Sequence, residues 1–502
     1  MSNLMNYSSL EVPNVMEIRT ERLAPISSIP SQRTYTFRLE PNGFMDKSTM
    51  LTFKLKKAAT YTSNNLRVNS WNGALGCINV ARMRIGDQIA SDVQNVGEFS
   101  TWKHLSTERR EKLNKYWSRF FGNQFHTEME AAPGDESGMI IPDSEKCGYD
   151  YEGNVANSLE ILTDENNCYM YGIPLGLLFP GVENEEFPLF LFSEYKIYFD
   201  IEFNPSSVYS NSSFTDYQRG FDEDIEIVNV ELLVDYLIYP NSILEAFREQ
   251  TLEAGGYRFE FIDVINVQRQ LAVDAGTVTT VNTNATYLAN GVLQNKTTSL
   301  EFRLGQENRE VHYVLMTKQL PRYDDSSNPI TDSSVLCGMR CDGISYESVQ
   351  YVINGIPIFP EPKDTSCSQY DLNYQALKMR DLEIERPFFY NDPNSLVSNY
   401  GEVSQGITGK YKPIAVDLRT SYKEGFGSGT MIGKYPIVIR YSCKPAVNLT
   451  RWGYGNSPDL TSCRRQDTTG RASYNVNFWI GVSRLINVVS TGAESMMVKI
   501  SS

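Results

Sequence analysis

Apolar residues take every second position through Val230, Leu232, Val234, Tyr236 and Ile238, with Asn229, Glu231 and Asp235 between them. That two-residue period predicts a β-strand with one face buried. Pro240 ends it, Asn241 and Ser242 can cap a short helix over 243–253, and Gly255-Gly256 stops that helix before a second β pattern opens at Tyr257. One β unit therefore closes near the middle of the chain and another opens.

The same period recurs on both sides of this junction. Upstream, Tyr35, Phe37 and Leu39 alternate with polar residues, Pro41-Asn42-Gly43 marks a turn, and Leu51, Phe53 and Leu55 alternate again. A strand pair is predicted within 79–105 with its corner at Gly86-Asp87, and Tyr195, Ile197, Phe199, Ile201 and Phe203 face one way against Glu194, Lys196, Asp200 and Glu202. Downstream, strands are predicted at Leu300, Phe302, Leu304; Val311, Tyr313, Leu315; Ile414, Val416, Leu418; Ile437, Ile439, Tyr441; Val476, Phe478, Ile480, Val482; and 498–502. Residues 349–362, VQYVINGIPIFPEP, echo ARMRIGDQIASD: each run turns at a glycine (Gly86, Gly355) and resumes at an isoleucine (Ile89, Ile358). Repetition of order with little identity is what two copies of one unit leave behind.

The period lengthens in two places. Phe99, Trp102, Leu105, Arg109, Leu113, Tyr116, Trp117 and Phe120 lie three or four apart, which predicts a helix over 98–121 stopped by Gly122. This helix is expected in a connection, covering one open end of a barrel. A second helix-like segment, 369–382, carries Leu372, Ala376, Met379 and Leu382. Residues 122–168 and 383–411 read as long polar connections, the first with eleven acidic residues against one lysine, and both are expected on an exposed face. Residues 1–30, with Pro13, Pro25 and Pro30, read as an extended arm with little core of its own.

A chain of 502 residues exceeds what one hydrophobic core usually supports, so two domains of roughly 200–250 residues are expected. The 30 Tyr and 24 Phe, with 34 Gly and 22 Pro, suit many short strands and tight turns rather than long helices. The net charge of -15 argues against a surface that neutralises phosphates. The amino-terminal 40 residues make no exception, since Arg19, Arg22, Arg33 and Arg38 are balanced by Glu11, Glu17, Glu21 and Glu40. No apolar run reaches the ~18–20 residues of a membrane span, and residues 1–20 lack the apolar core of a secretory leader. The protein is expected in a reducing compartment, with its eight cysteines mostly buried thiols rather than a disulfide scaffold.

Candidate chemistry is thin. The three histidines, His104, His126 and His312, stand far apart with no H-E-x-x-H spacing, and Cys337 and Cys341 form a lone C-x-x-x-C. The run 425–434, GFGSGTMIGK, fails the phosphate-loop pattern at both ends: Ser428 stands where the first glycine belongs, and Tyr435 follows Lys434. The bland reading there is a flexible β turn. Carboxylate pairs such as Glu185-Glu186 suit a glycosidase in principle, but solvated loop charge is the commoner state. No catalytic, cofactor-binding or metal-binding residue is assigned, and the chain is expected not to be an enzyme.

Several segments resemble the double jelly-roll major capsid proteins of large DNA viruses of eukaryotes, virophages and Polinton-like viruses. The strand ending Leu232-Leu233-Val234-Asp235-Tyr236, with its charged helix and return strand, resembles the junction between that family's two barrels. Ile85-Gly86-Asp87-Gln88-Ile89 is similar to the family's I-G-G-Q-x-I, with Asp87 in place of its second glycine. Phe187-Pro188-Leu189-Phe190 before Tyr195 follows the family order, although Lys196 stands at a usual histidine position, and Gly427-Ser428-Gly429-Thr430 resembles its P-S-G segment. The resemblance covers about residues 30–490.

It implies an all-β fold of two consecutive eight-stranded antiparallel jelly-roll barrels with short helices in the connections. The expected division is an arm at 1–30, a first barrel at 31–240, a linker with a short helix at 241–256 and a second barrel at 257–502. It further implies a structural protein forming homotrimeric, pseudo-hexameric capsomers that tile an icosahedral shell. The partners are then neighbouring capsomers, penton and minor capsid proteins, with no direct nucleic-acid contact and an underlying membrane left open. Localisation follows as the virion, after synthesis in the host cytoplasm without secretion. The alternative is a carbohydrate-binding or glycan-cleaving β-sandwich, which should carry a signal peptide, a calcium site or a clustered aromatic platform.

Overall fold

A computed structural model describes residues 17–29, 33–57, 65–68, 73–107, 170–182, 186–204, 208–213, 216–219, 225–253, 256–274, 298–319, 344–364, 414–419, 421–422, 427–445, 471–490 and 496–501. In the first half the main strands are β1 (Glu17–Leu23), β2 (Ser27–Ile29), β3 (Thr34–Leu39), β4 (Met50–Lys57), β5 (Ile78–Ile85) and β6 (Gln88–Gln94). They are followed by helix α1 (Val96–Thr107), β7 (Met170–Pro174), β8 (Ile197–Phe203) and β9 (Ile225–Ile238). Helix α2 (Asn241–Glu253) then leads to β10 (Tyr257–Asp274), β11 (Thr298–Leu304), β12 (Glu310–Gln319), β13 (Ile344–Ile353) and β14 (Ile356–Pro357). The chain ends with β15 (Ile414–Asp417), β16 (Ile437–Pro445), β17 (Arg471–Ser490) and β18 (Met496–Ser501).

Hydrogen bonding sorts these strands into two pairs of antiparallel sheets. In the first half the orders are β1-β9-β4-β7 and β3-β8-β5-β6, with β2 added at the edge of β3. In the second they are β10-β17-β12-β15 and β11-β16-β13-β14, with β18 added to β17. Counting the main strands of each half in sequence, and leaving out the additions β2 and β18, both halves read 1-8-3-6 over 2-7-4-5. One Greek-key sandwich is built twice.

The patterns that formed these strands are those expected where one face is buried. In β8 residues 197, 199, 201 and 203 are buried and the three between them are not, and Leu51, Phe53 and Leu55 of β4 meet Leu232 and Val234 of β9 in the first core. The corner at Gly86 has φ +61° and that at Gly355 φ +82°, the left-handed region that glycine enters without a Cβ penalty. α2 begins at Asn241 and stops where the Gly256 amide donates to the Thr251 carbonyl at 2.8 Å.

Three expectations need correction. The segment 1–30 is not only an extended arm: Glu17–Leu23 pairs along β9 from Glu17↔Ile238 to Leu23↔Leu232, and Ser27–Ile29 pairs with β3, although none of these residues is fully buried. EIRTERL lacks apolar alternation because no residue of this edge strand is fully buried. Helix α1 starts at Val96, two residues earlier than expected. The second-half strands at Val311–Leu315 and Val476–Val482 do not alternate; residues 311–317 and 476–482 are buried throughout. Such strands have both faces covered. The remainder of the predicted helix beyond Thr107, the acidic connection 122–168, the segment 369–382 and the connection 383–411 lie outside the described residues.

Candidate functional site at the seam between the two sandwiches

β12 and β17 are buried on both sides because one face fills the second sandwich and the other meets the first. Phe478 packs on Phe302 with ring centroids 5.2 Å apart, inside the second sandwich. One position along, Trp479 packs on Phe99 of α1 at 6.0 Å, and Leu315, opposite Trp479 in register, joins the same apolar cluster together with Tyr313 and Ala415. Gly481 makes room for this layer, since a Cβ there would lie 2.4 Å from the Tyr313 ring. α1 is held in place by its own close approach, with Gly97 backed against the Leu75 carbonyl.

The start of β10 extends the contact. Phe261 meets Phe179 at 5.5 Å and Phe259 meets Phe187 at 5.1 Å, both edge to face, and Phe187 stacks on Phe192. The first-sandwich partners come from the stretch between β7 and β8, which folds into short 3-10 turns at Leu175–Leu177, Pro180–Val182 and Leu189–Phe192. Phe247 of α2 closes the side by touching Phe44, Phe190 and Tyr257. Edge-to-face pairs of this kind add about 0.5–1.5 kcal/mol each beyond area burial.

Polar groups fix the register of that apolar layer. Asp263 of β10 is 1% exposed; its carboxylate accepts from the Ser91 hydroxyl of β6 at 2.6 Å and from Arg484 Nη2 at 3.0 Å. Burial pushes this carboxyl above the usual carboxylate range, against the opposing pull of Ser91 and Arg484. Nearby, Gln88 clasps one edge of β18 with both ends of its amide, donating to the Val498 carbonyl at 2.9 Å and accepting from the Ile500 amide at 3.2 Å. The Val498 amide donates to the Tyr195 hydroxyl at 3.3 Å. Sequence reasoning placed Gln88, Tyr195 and Asp263 in strands or turns without a role; the only signal was a lone Asp263 inside the apolar run FEFIDVINV.

The residues singled out for chemistry fall elsewhere. His312 is buried in β12 with Nε2 2.7 Å from the Ser483 hydroxyl, and burial lowers its pKa below the ordinary imidazole value. The run at 425–434 is pinned rather than free where it is described: Thr430 and Met431 pair with Val311 and Glu310, and the Gly429 amide donates to the Glu310 carboxylate at 2.6 Å. A side-chain carboxylate thus occupies that amide, and no helix follows as a phosphate loop requires. Cys77 is a buried thiol outside any disulfide. Among the described residues no group of three or more His, Cys, Asp or Glu converges on a metal-sized site, and no helix is long and apolar enough to cross a membrane. His126, Cys337, Cys341 and Glu185 lie outside the described residues.

No protein-family model and no curated protein sequence matches the chain. Solved structures do. PBCV-1 VP54, fitted into a cryo-EM reconstruction of the virophage Sputnik, superposes with a TM-score of 0.57 over 97% of this chain and 96% of its own, at 9% identity. The quasi-atomic model of the PBCV-1 virus capsid gives 0.53 over the same shares at 9% identity. The cryo-EM structure of the Sputnik virophage gives 0.52 over 97% of this chain and 88% of that one, also at 9% identity.

The fold is a double jelly roll. At this identity the likeness lives in strand order and placement rather than in shared side chains. In this double jelly roll one buried apolar cluster runs from the first barrel across the seam into the second.

Proposed function

We propose that the chain is a major capsid protein whose double jelly rolls form homotrimers, six barrels to a capsomer, that tile an icosahedral shell. The observation that carries this is the repeated 1-8-3-6 over 2-7-4-5 order, welded into one body by a continuous apolar seam. Two equivalent barrels per chain let a threefold particle fill a sixfold position, which explains why duplication is useful. The end-to-end likeness to proteins of the PBCV-1 and Sputnik particles supports the same reading.

On this reading the working part is shape, and the mechanism is assembly. Apolar strand faces fill each barrel, the seam makes the pair rigid, and loops and edges join neighbouring copies with obligate-type interfaces. The partners are further capsomers, with penton and minor capsid proteins completing the shell; the chain reaches the virion from the host cytoplasm and does not handle the genome directly. The barrels divide at α2, with the first beginning at β1 rather than after residue 30. The net charge of -15 keeps free capsomers apart, so shell contacts should tighten with salt or divalent cations.

Light scattering on the purified chain, with negative-stain electron microscopy, tests the proposal. The expected result is a three-chain particle of hexagonal outline. A stable single chain at all working concentrations would overturn it.

A further inference from the structure

The two barrels present equivalent corners, and among the described residues only one of them is covered. In the first barrel the corner is the β5–β6 turn at Gly86, whose amide donates to the Lys196 carbonyl at 2.8 Å, beside Tyr195, two residues before β8. In the second it is the β13–β14 turn at Asn354-Gly355. The Asn354 side chain donates to the Met431 carbonyl at 3.0 Å and accepts from the Gly433 amide at 2.7 Å, beside Tyr435, two residues before β16. Turn, tie and tyrosine recur at matching places.

Their surroundings differ. Across the first corner lies β18, clasped by Gln88 and Tyr195, and the adjoining edge strand β6 meets β10, the edge strand of the other barrel, through Ser91 and Asp263. At the second corner no described segment lies across the equivalent groups. Ile356 is 70% exposed, Tyr435 65% and Met431 59%, three large side chains on one corner. Isolated apolar residues on a surface are ordinary, but a cluster at a position whose twin is an interface is not.

We infer that the Ile356, Met431 and Tyr435 corner docks the first barrel of a second copy of this chain, along the edge strand Glu17–Leu23. The argument is continuity with the internal seam. Within the chain, strand 5 of the first barrel faces strand 1 of the second; repeating that step brings strand 5 of the second barrel to strand 1 of the next copy's first barrel. That strand is β1, a sheet edge among the described residues, whose Ile18 is 65% exposed. Ile18 is the apolar complement that the corner requires. This inference rests on the capsomer reading and specifies which surfaces close the ring.

The test is the mass and hydrogen exchange of the full chain carrying Ile356→Arg with Tyr435→Arg, and separately Ile18→Arg. All three positions are surface sites, and unchanged circular dichroism and melting would certify the fold. Wild type is expected as a trimer with slow amide exchange at 354–356 and 431–435, and either variant as single chains with fast exchange there. If wild type is trimeric and both variants stay trimeric with those amides exchanging fast throughout, the corner assignment falls while the capsomer reading stands. If wild type is itself a single chain, the capsomer reading falls and takes this inference with it.

Discussion

The 1-8-3-6 sheets of the two barrels share a topology and differ in what their outer faces carry. In the first barrel that face shows Thr52, Lys54 and Lys56 of β4, Glu231 and Asp235 of β9, and Thr20 and Arg22 of β1. These are tied to one another across strands, as in Arg22 to Glu231 at 3.9 Å and Thr20 to Asp235 at 2.5 Å. In the second barrel the same face carries Tyr313, Leu315, Ala415 and Trp479 and is sealed against α1 and the 3-10 turns of the first. One backbone plan therefore serves two ends: an apolar outer face makes a permanent joint inside a chain, and a charged one stays soluble until a partner arrives.

The sharpest way to break the contrast is to truncate matching positions. Trp479→Ala should cost about 3–5 kcal/mol, through a cavity between the barrels, whereas Lys54→Ala on the equivalent first-barrel face should stay within about 0.5 kcal/mol. Urea unfolding of both variants checks this; similar midpoints would mean that the second sheet is not the keystone described. Next in size is Arg484→Met, which leaves Asp263 buried without its cation and should cost on the order of 3 kcal/mol. A paired Asp263→Leu and Arg484→Met variant should recover most of that loss, read by the same denaturation midpoints. Gly481→Ala drives a methyl into the Tyr313 ring and should cost about 1–3 kcal/mol by overpacking, with exchange speeding first along β12 and β17.

The smallest effect expected is one of pH. His312 has its pKa lowered chiefly by burial, with Arg419 acting the same way and Glu310 and Asp417 opposing. The unfolded chain, with an ordinary imidazole near 6.5, then takes up a proton before the folded one does. Stability is whole above that value and declines as pH falls through the window beneath it. A His312→Gln variant should lack this part of the acid sensitivity, measured as the difference in melting temperature between pH 7 and pH 5.5.

The contrast also explains what was legible in the residues beforehand. Strands with one wet face announced themselves by alternation, as in β4, β8 and β9, and the β9-α2-β10 junction was readable down to its stop signals. The second barrel's 1-8-3-6 sheet was harder, because burial on both faces erases the period that marks a strand's inside: His312, Val314 and Met316 are as enclosed as Val311, Tyr313 and Leu315. β1 escaped for the opposite reason, being polar at a sheet edge. The seam's polar pins were invisible in principle, since Ser91 and Asp263 meet from 172 residues apart and Arg484 and Asp263 from 221.

The grip of Gln88 on β18 joins residues 410 and 412 positions apart in sequence. The first barrel's corner therefore closes only once residues 498–500 are in place, long after its own strands have been made. Without β18, Gln88 and Tyr195 lose the strand they clasp, so the first barrel's corner depends on a segment that belongs to the second. The strand that adds to the second barrel's sheet thus also locks a corner of the first.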